Sequence, residues 1–341
     1  MNAFLKILAG LVVFLILLSG YANFLHPRIF FSRQQITYAD SRSELKGGEA
    51  ISFRSGPFTL RGRLKAPSIV GRKVPAIIFS DGSGGQSSFA SPFYSRFLDT
   101  LFEQNLPPDS IAFLYFEKRG VGKSDGNWYD TDFEERAADV KAAADYLKTL
   151  PFIDSSRIVV AGHSQGGWIT QICLSKYPET FAGGISMAGP AFGVKEQLIN
   201  DYASKLMCDQ QLNESEARVQ ALSQVETDLL LVRFFPFQQE WHQLNRVRDF
   251  DPASYLTTVH KPLLMLFCEN DALVSPKNSL ARLKELFGIC PPSEIVSFTI
   301  KGANHGFKLS DKCYDGPYQK LSFAEQGKST IRRWIQTTVL R

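Results

Sequence analysis

From about residue 50 to the C-terminus, short apolar runs alternate with amphipathic stretches. The runs are almost entirely apolar, which is typical of strands buried on both faces of a sheet. In one amphipathic stretch, apolar residues recur at steps of three and four, the period of a helix: Phe133, Ala137, Val140, Ala144 and Leu147. This alternation predicts an α/β fold with a mostly parallel, doubly wound sheet. We expect its strands near residues 74–80, 111–116, 157–161, 181–188, 262–268 and 295–300.

Two segments depart from this alternation. Residues 51–54 and 58–64 flank a Ser-Gly-Pro turn and alternate in polarity, which predicts an antiparallel hairpin ahead of the parallel strands. Between residues 190 and 256 the buried strands stop and the apolar positions follow helical spacing. We therefore expect one domain over residues 49–341, with a helical cap inserted at about residues 190–256.

The N-terminal segment has the pattern of a membrane-targeting sequence. Lys6 precedes an uninterrupted apolar run over residues 7–18, and the small residues that follow would permit cleavage after Ala22. With its neighbours the run approaches the roughly 20 residues that span a bilayer, so an uncleaved anchor is the alternative to a signal peptide. We expect an N-terminal hydrophobic helix within residues 1–25, a polar connector over residues 26–48, and a protein that is exported or membrane-associated.

Composition narrows the range of partners. Of the 341 residues, 44% are apolar and 21% charged, which are ordinary values for a globular protein. The formal net charge is +4, and no basic run carries interleaved aromatic residues. A nucleic-acid partner is therefore not expected.

The cysteines give little sign of a covalent framework or a metal site. Their spacing contains no Cys-x-x-Cys motif, so neither a zinc site nor a complete set of disulfides is predicted; they lie at positions 173, 208, 268, 290 and 313. Most are expected to be core thiols, because free cysteine is commonly buried. Export would permit a disulfide between Cys290 and Cys313.

The candidate nucleophile lies where the apolar run at 157–161 breaks into the pentapeptide Gly162-His163-Ser164-Gln165-Gly166. A serine at a tight strand-to-helix turn needs neighbours without side chains, because the flanking backbones pack closely. Apolar residues at helical spacing follow the turn. The pattern favours a nucleophile at the carboxyl end of a parallel strand, the edge at which ligands bind in such sheets.

A serine nucleophile needs a histidine to accept its proton and a carboxylate to orient that histidine. His305 follows the last predicted strand in a glycine-flanked loop, at the same edge as Ser164. The other histidines are less suitable. His26 lies beside the N-terminal segment, and His163 is next to the serine with a side chain expected to point elsewhere. His242 lies in the cap, and His260 lies at the amino end of a strand. For the carboxylate we prefer Asp271, in the loop after residues 262–268, to Glu269, which is close enough to that strand to belong to it.

The chain order Ser164, Asp271, His305 is that of the α/β-hydrolase catalytic triad. Over roughly residues 50–340 the sequence resembles the α/β-hydrolase superfamily, and most of all the serine hydrolases of its dienelactone-hydrolase and prolyl-oligopeptidase-like branch. The motifs that carry the resemblance are residues 162–167, 81–85, 118–124, 270–271 and 304–306. The resemblance implies the α/β-hydrolase fold with an inserted cap, and no cofactor or metal.

The resemblance also implies an oxyanion hole made by backbone N–H groups of Gln165 and of the loop after the first parallel strand, where Ser83 is the expected donor. This loop begins with Asp81-Gly82, whereas many relatives have His-Gly there. Backbone donors survive a change of side chain. A carboxylate at position 81 would nevertheless oppose a developing oxyanion unless it is turned away or paired.

The predicted activity is hydrolysis of a small-molecule carboxylic ester through an acyl-enzyme. A peptidase or a thioesterase on the same triad is the first alternative. The second belongs to another class, a catalytically silent, membrane-associated binding protein that kept the fold, and the Asp81 substitution keeps it open. Residues 120–124 resemble a phosphate-binding loop, but Glu117 stands where that loop requires glycine, so no nucleotide is expected.

Overall fold

The computed structural model describes residues 3–20, 47–67, 71–85, 87, 91–107, 109–289 and 291–341. Strands in this part of the chain form one eight-stranded sheet: β1 Glu49–Ser55, β2 Phe58–Lys65, β3 Val74–Ser80, β4 Ala112–Phe116, β5 Ile153–His163, β6 Gly183–Met187, β7 Leu263–Cys268 and β8 Ile295–Ile300. Their order across the sheet is β1-β2-β4-β3-β5-β6-β7-β8. The β1–β2 and β2–β4 pairs are antiparallel and the remaining pairs are parallel, which confirms the predicted mostly parallel sheet.

Helices cover both faces of the sheet, because successive side chains of each buried strand point to opposite faces and both sets are apolar. Ile78 and Val160 face one core together with the helices at residues 133–148 and 165–176, whereas Ile77 and Val159 face a second core with the helices at residues 92–98 and 325–338. The α-helices of the described residues are α1 Ala3–Gly20, α2 Pro92–Leu98, α3 Phe133–Lys148, α4 Gln165–Lys176, α5 Val194–Gln210, α6 Glu214–Phe234, α7 Gln239–Val247, α8 Ala253–Leu256, α9 Pro276–Phe287 and α10 Glu325–Thr338. The doubly wound α/β architecture is therefore confirmed.

The first turn of α3 is fixed by a capping box. The Asp132 side chain accepts a hydrogen bond from the backbone N–H of Glu135 at 2.9 Å, and the Glu135 side chain accepts one from the Asp132 N–H at 2.8 Å. Two of the helix's otherwise unpaired N–H groups are satisfied in this way. The box holds the next residue, Arg136, at a defined place under the end of β3.

Four helices, α5 to α8, lie between β6 and β7, in the interval where the sequence predicts a cap. Ala217, Ala221 and Val225 form the buried stripe of α6 and join the core that also contains α3 and α4. The cap meets the carboxyl edge of the sheet at Asn200, whose side-chain amide donates to the carbonyl oxygen of Ala272 at 3.2 Å. The α5 helix is thereby attached to the loop that follows β7.

A disulfide joins Cys208, in the last turn of α5, to Cys313 in the loop after β8. The predicted bridge between Cys290 and Cys313 is therefore wrong, and Cys290 itself lies outside the described residues. The two partners are 105 residues apart in sequence, and only the docking of α5 on the sheet edge brings them together. Cys173 and Cys268 are free and buried, as predicted for core thiols.

The α1 helix covers the N-terminal apolar run, and almost all of its described side chains are exposed. Among the described residues, no helix combines the length and the apolar character needed to cross a membrane. The predicted cleavage position after Ala22 and nearly all of the connector at 26–48 lie outside the described residues. Export or membrane association stays a prediction, which fractionation of cells that express the chain would test.

Candidate active site

Ser164 lies at the sharp turn between β5 and α4, with φ 57° and ψ −120°. A positive φ is strained for a residue with a side chain and persists only where the surroundings enforce it. A β-carbon at Gly162 would overlap the carbonyl oxygen of Gly166, and one at Gly166 would overlap that of Ser80. Because glycine alone fits at both positions, the ends of β3 and β5 and the start of α4 meet at Ser164.

His305 and Asp271 form a hydrogen-bonded pair in the loops that follow β8 and β7. Nδ1 of His305 lies 2.7 Å from Oδ2 of Asp271, whose side chain is fully buried. The other carboxylate oxygen accepts hydrogen bonds from the N–H groups of Leu273 and Val274, each at 2.8 Å. These bonds hold the carboxylate in one orientation. Because Nδ1 of His305 contacts Asp271, Nε2 is the ring nitrogen that faces away from the acid.

Glu269, the less favoured candidate for the carboxylate, is engaged elsewhere. It is exposed, and its side chain accepts a hydrogen bond from the N–H of Gly302 at 2.8 Å. The structure therefore pairs Asp271, and not Glu269, with His305.

The carboxyl edge of the sheet brings the predicted residues together. The carbonyl oxygen of His305 lies 2.9 Å from Nε2 of His163, and the two imidazole rings are 4.7 Å apart between centroids. Since Ser164 directly follows His163, the serine and the His305 loop occupy the same part of the edge. The register that pairs Ser80 of β3 with Gly162 of β5 places the loop after β3 beside them.

Asp81 begins the loop at residues 81–85, called the oxyanion loop below, and its carboxylate is turned into the protein. Its side chain is buried, and Oδ1 lies 3.2 Å from both Nζ of Lys118 and Nη2 of Arg136. The same guanidinium donates to the Asp81 carbonyl oxygen at 2.7 Å and to the Gln165 side chain at 3.2 Å. A buried carboxylate with two cationic partners is compensated, so its charge is directed to Lys118 and Arg136.

Lys118 also sets the direction of the backbone in the oxyanion loop. Its ammonium group donates hydrogen bonds to the carbonyl oxygens of Gly82, at 2.9 Å, and of Gly84. The C=O and N–H of a trans peptide point in opposite directions. Because the Gly82 carbonyl faces Lys118, the N–H of Ser83 in the same peptide points away from it.

Burial lowers the pKa of Lys118 to about 8, an effect that the neighbouring Asp81 carboxylate opposes. Lys118 is therefore still mostly charged at neutral pH. Burial likewise lowers the pKa of Arg136, but the guanidinium of arginine stays protonated in proteins. Both partners of Asp81 are thus cations under neutral conditions.

Three residues of this region were not predicted as part of the site: Lys118, Arg136 and Tyr94. Lys118 follows a fully apolar strand at the carboxyl edge, the criterion that selected Asp271, so the sequence held a signal for it. Arg136 is three residues after Phe133 and shares its buried helical face, which is a weaker signal. Tyr94, which bonds to the oxyanion loop and to His163, has no comparable sequence signal because its partners come from distant segments. No group of three or more His, Cys, Asp or Glu side chains among the described residues could hold a metal ion.

Comparison with known proteins identifies the family to which the chain belongs. The family model described as "Serine aminopeptidase, S33" matches residues 90–309, more than half of the chain. The chain belongs to this family of α/β hydrolases. The predicted superfamily is thereby confirmed, and the protein is a hydrolase.

Curated relatives of the S33-family hydrolase include the AB hydrolase superfamily protein YisY of Bacillus subtilis (strain 168). It is 25% identical over 232 residues, which span 61% of this chain and 79% of the relative. Poly(3-hydroxyalkanoate) depolymerase C of Paucimonas lemoignei is 34% identical over 67 residues, 18% of this chain. That match spans only 16% of the depolymerase.

Solved structures with the same fold include the esterase Pf2001 of Pyrococcus furiosus, with a TM-score of 0.59 and 18% identity over 92% of this chain and 97% of that one. Est1E from Butyrivibrio proteoclasticus with bound ferulic acid has a TM-score of 0.55 and 18% identity, over 86% of this chain and 100% of that one. At these identities the likeness shows the fold alone.

Replacing Lys118 with methionine should destabilise the S33-family hydrolase strongly. The substitution leaves the Asp81 carboxylate buried with one cation fewer and removes two hydrogen bonds to the oxyanion loop. We expect the free energy of unfolding to fall by about 3–5 kcal/mol, the usual cost of breaking a buried ion pair, measured by urea denaturation.

Lys123→Met is the matched control, because Lys123 is an exposed lysine of the neighbouring turn and should change stability by no more than about 0.5 kcal/mol. The double variant Asp81→Asn/Lys118→Met should recover part of the loss, since no carboxylate is then left underpaired. A Lys118→Met protein as stable as Lys123→Met would show that the buried ion pair is not formed.

Proposed function

We propose that the protein is a serine esterase that cleaves carboxylic esters through an acyl-enzyme. Oγ of Ser164 attacks the ester carbonyl carbon while Nε2 of His305 takes the hydroxyl proton, and Asp271 orients the imidazole and stabilises its charge. The imidazolium then gives the proton to the departing alkoxide. In the second half, water attacks the acyl group with the same proton transfers and releases the acid.

The observation that carries the proposal is the bond between His305 and Asp271, at the edge where Ser164 leaves the sheet with a positive φ. The Asp271 carboxylate is fully buried, whereas 18% of the His305 side chain is exposed. A base that is anchored by a buried acid on one side and accessible on the other is the arrangement that proton transfer to a bound substrate requires. The strained serine and this pair together support nucleophilic catalysis.

For the oxyanion hole we propose the backbone N–H groups of Gln165 and Ser83. Gln165 is the first residue of α4, where N–H groups lack partners within the helix and the helix dipole favours negative charge. Ser83 belongs to the peptide whose carbonyl is held by Lys118, so its N–H points to the opposite side. Because Asp81 is paired with Lys118 and Arg136, its charge no longer argues for a catalytically silent protein.

An ester is the substrate class that we favour, and the esterase Pf2001 of Pyrococcus furiosus is one enzyme that shares this fold. The family description favours a second candidate, an aminopeptidase that cleaves an amide next to a free amino group. The cap offers one carboxyl group of the kind such an enzyme needs. Asp201 of α5 interacts electrostatically with His305 and Asp271, and burial raises its pKa to about 7. Only part of the Asp201 population would carry a negative charge at neutral pH, so the ester remains the first proposal.

A fluorophosphonate probe tests the nucleophile. It should label the purified wild-type chain and leave Ser164→Ala unlabelled, because the probe reacts with an activated serine. An undiminished label on Ser164→Ala, or an unlabelled wild type, would refute the assignment.

Ester, thioester and aminoacyl-amide substrates of graded chain length should then be compared by kcat/KM. Faster turnover of the amides, and a loss of that turnover in Asp201→Asn, would replace the esterase by the aminopeptidase.

Asp271→Asn and Glu269→Gln form a matched pair that tests the acid. The first change should lower kcat by about 10⁴-fold, since an amide neither stabilises the imidazolium nor holds the required tautomer. The second should leave kcat within about threefold of wild type, because surface substitutions away from a site have small effects. Equal losses of kcat in the two variants would contradict the assignment of Asp271.

A further inference from the structure

A chain of three hydrogen bonds runs from the oxyanion loop to the backbone of His305. The N–H of Gly82 lies 2.6 Å from the hydroxyl oxygen of Tyr94, and that hydroxyl lies 3.0 Å from Nδ1 of His163. Nε2 of His163 lies 2.9 Å from the carbonyl oxygen of His305. Two residues, Tyr94 and His163, thus connect the parts of the site that bind the oxyanion and transfer the proton.

The chemistry of the groups fixes the direction of every bond in this chain. A carbonyl oxygen only accepts, so Nε2 of His163 must carry a hydrogen and donate it to His305. In a neutral imidazole the other nitrogen is then an acceptor, and it takes the hydroxyl hydrogen of Tyr94. The oxygen of Tyr94 is left to accept the N–H of Gly82. A single tautomer of His163 satisfies all three bonds.

The surroundings of His163 favour this neutral form. His163 and Tyr94 are both buried, and aromatic rings from α2 pack on the imidazole, with Phe97 at 4.9 Å between centroids. Burial, and then the electrostatic interaction with the neighbouring imidazole of His305, lower the pKa of His163 well below its ordinary value. Because both ring nitrogens are engaged, His163 is unsuited to serve as the base for Ser164 despite being its neighbour.

This chain of hydrogen bonds lies next to Ser164. His163 is the last residue of β5, and a β-carbon at Gly82 would lie 3.2 Å from Cβ of Ser164. A displacement of Gly82 would therefore move the Ser83 peptide relative to the serine. Loss of the bond to His305 would free the backbone that carries the imidazole.

We propose that Tyr94 and His163 are positioning residues, which hold the oxyanion loop and the His305 backbone in a fixed relation to Ser164. The inference deepens the proposed function and rests on it, since positioning matters only if these groups act together on a substrate. Misplacement of catalytic groups by about 1 Å can cost about 100-fold in rate. The effect should accordingly appear in kcat, while substrate binding is largely retained.

The test compares Tyr94→Phe, His163→Phe and His163→Gln with Tyr115→Phe. Tyr115→Phe is the control, because it removes the hydroxyl of another buried tyrosine in the same core and Tyr115 takes no part in the chain of three hydrogen bonds. In His163→Gln the side-chain amide can still donate to the His305 carbonyl but cannot accept from Tyr94 at the Nδ1 position. With a p-nitrophenyl ester, Tyr94→Phe and His163→Phe should each lower kcat by about 10- to 100-fold with KM within about threefold. His163→Gln should recover part of the loss of kcat. The double variant Tyr94→Phe/His163→Phe should be no slower than His163→Phe, because both substitutions break the same chain of hydrogen bonds.

Hydrogen exchange measured by mass spectrometry supplies a readout that does not depend on activity. His163→Phe should raise exchange in residues 80–85 and in residues 303–308, and Tyr115→Phe should raise it in neither segment. Wild-type kcat together with unchanged exchange in Tyr94→Phe and His163→Phe would overturn the positioning role. If the wild type cleaves no ester or amide while exchange still rises in both segments, the proposed function fails and the structural coupling stands.

Discussion

The backbone contact between Gly166 and the end of β3 is the constraint on which the rest of the site depends. At this point the start of α4 lies so close to Ser80 that a single β-carbon would force them apart. The contact holds Ser164 at a positive φ and places the first N–H groups of α4 next to the oxyanion loop. The position of Ser164 and the position of residues 81–85 are therefore two consequences of the same packing.

Neutralisation of the Asp81 carboxylate by two buried cations explains how an aspartate can occupy the first position of the oxyanion loop. A buried carboxylate without partners would cost several kcal/mol. Lys118 and Arg136 instead neutralise Asp81, and both also hold backbone carbonyls of the same loop. The two cations thus have two effects. They neutralise the negative charge of Asp81 near the place where an oxyanion would form, and they orient the peptides that would bind the oxyanion.

The sequence was sufficient for the parts of the structure that depend on local pattern. Apolar runs identified the parallel strands, and the rule that ligands bind at their carboxyl ends placed Ser164, Asp271 and His305 at one edge. The pairing of Cys208 with Cys313 could not be predicted, because it depends on how α5 docks on a loop 105 residues away. The sequence predicts only that His163 points away from its neighbour Ser164. The bonds of His163 to Tyr94 and His305 depend on how β5, α2 and the loop after β8 meet in three dimensions.

The most direct test of the account is to trap the acyl-enzyme. A p-nitrophenyl ester should release a burst of about one nitrophenol per protein, and acid quenching during the burst should leave the acyl group on the peptide that contains Ser164. The same experiment with Ser164→Ala should give neither burst nor adduct. An acyl group on another residue, or sustained turnover without an adduct at any quench time, would contradict the account.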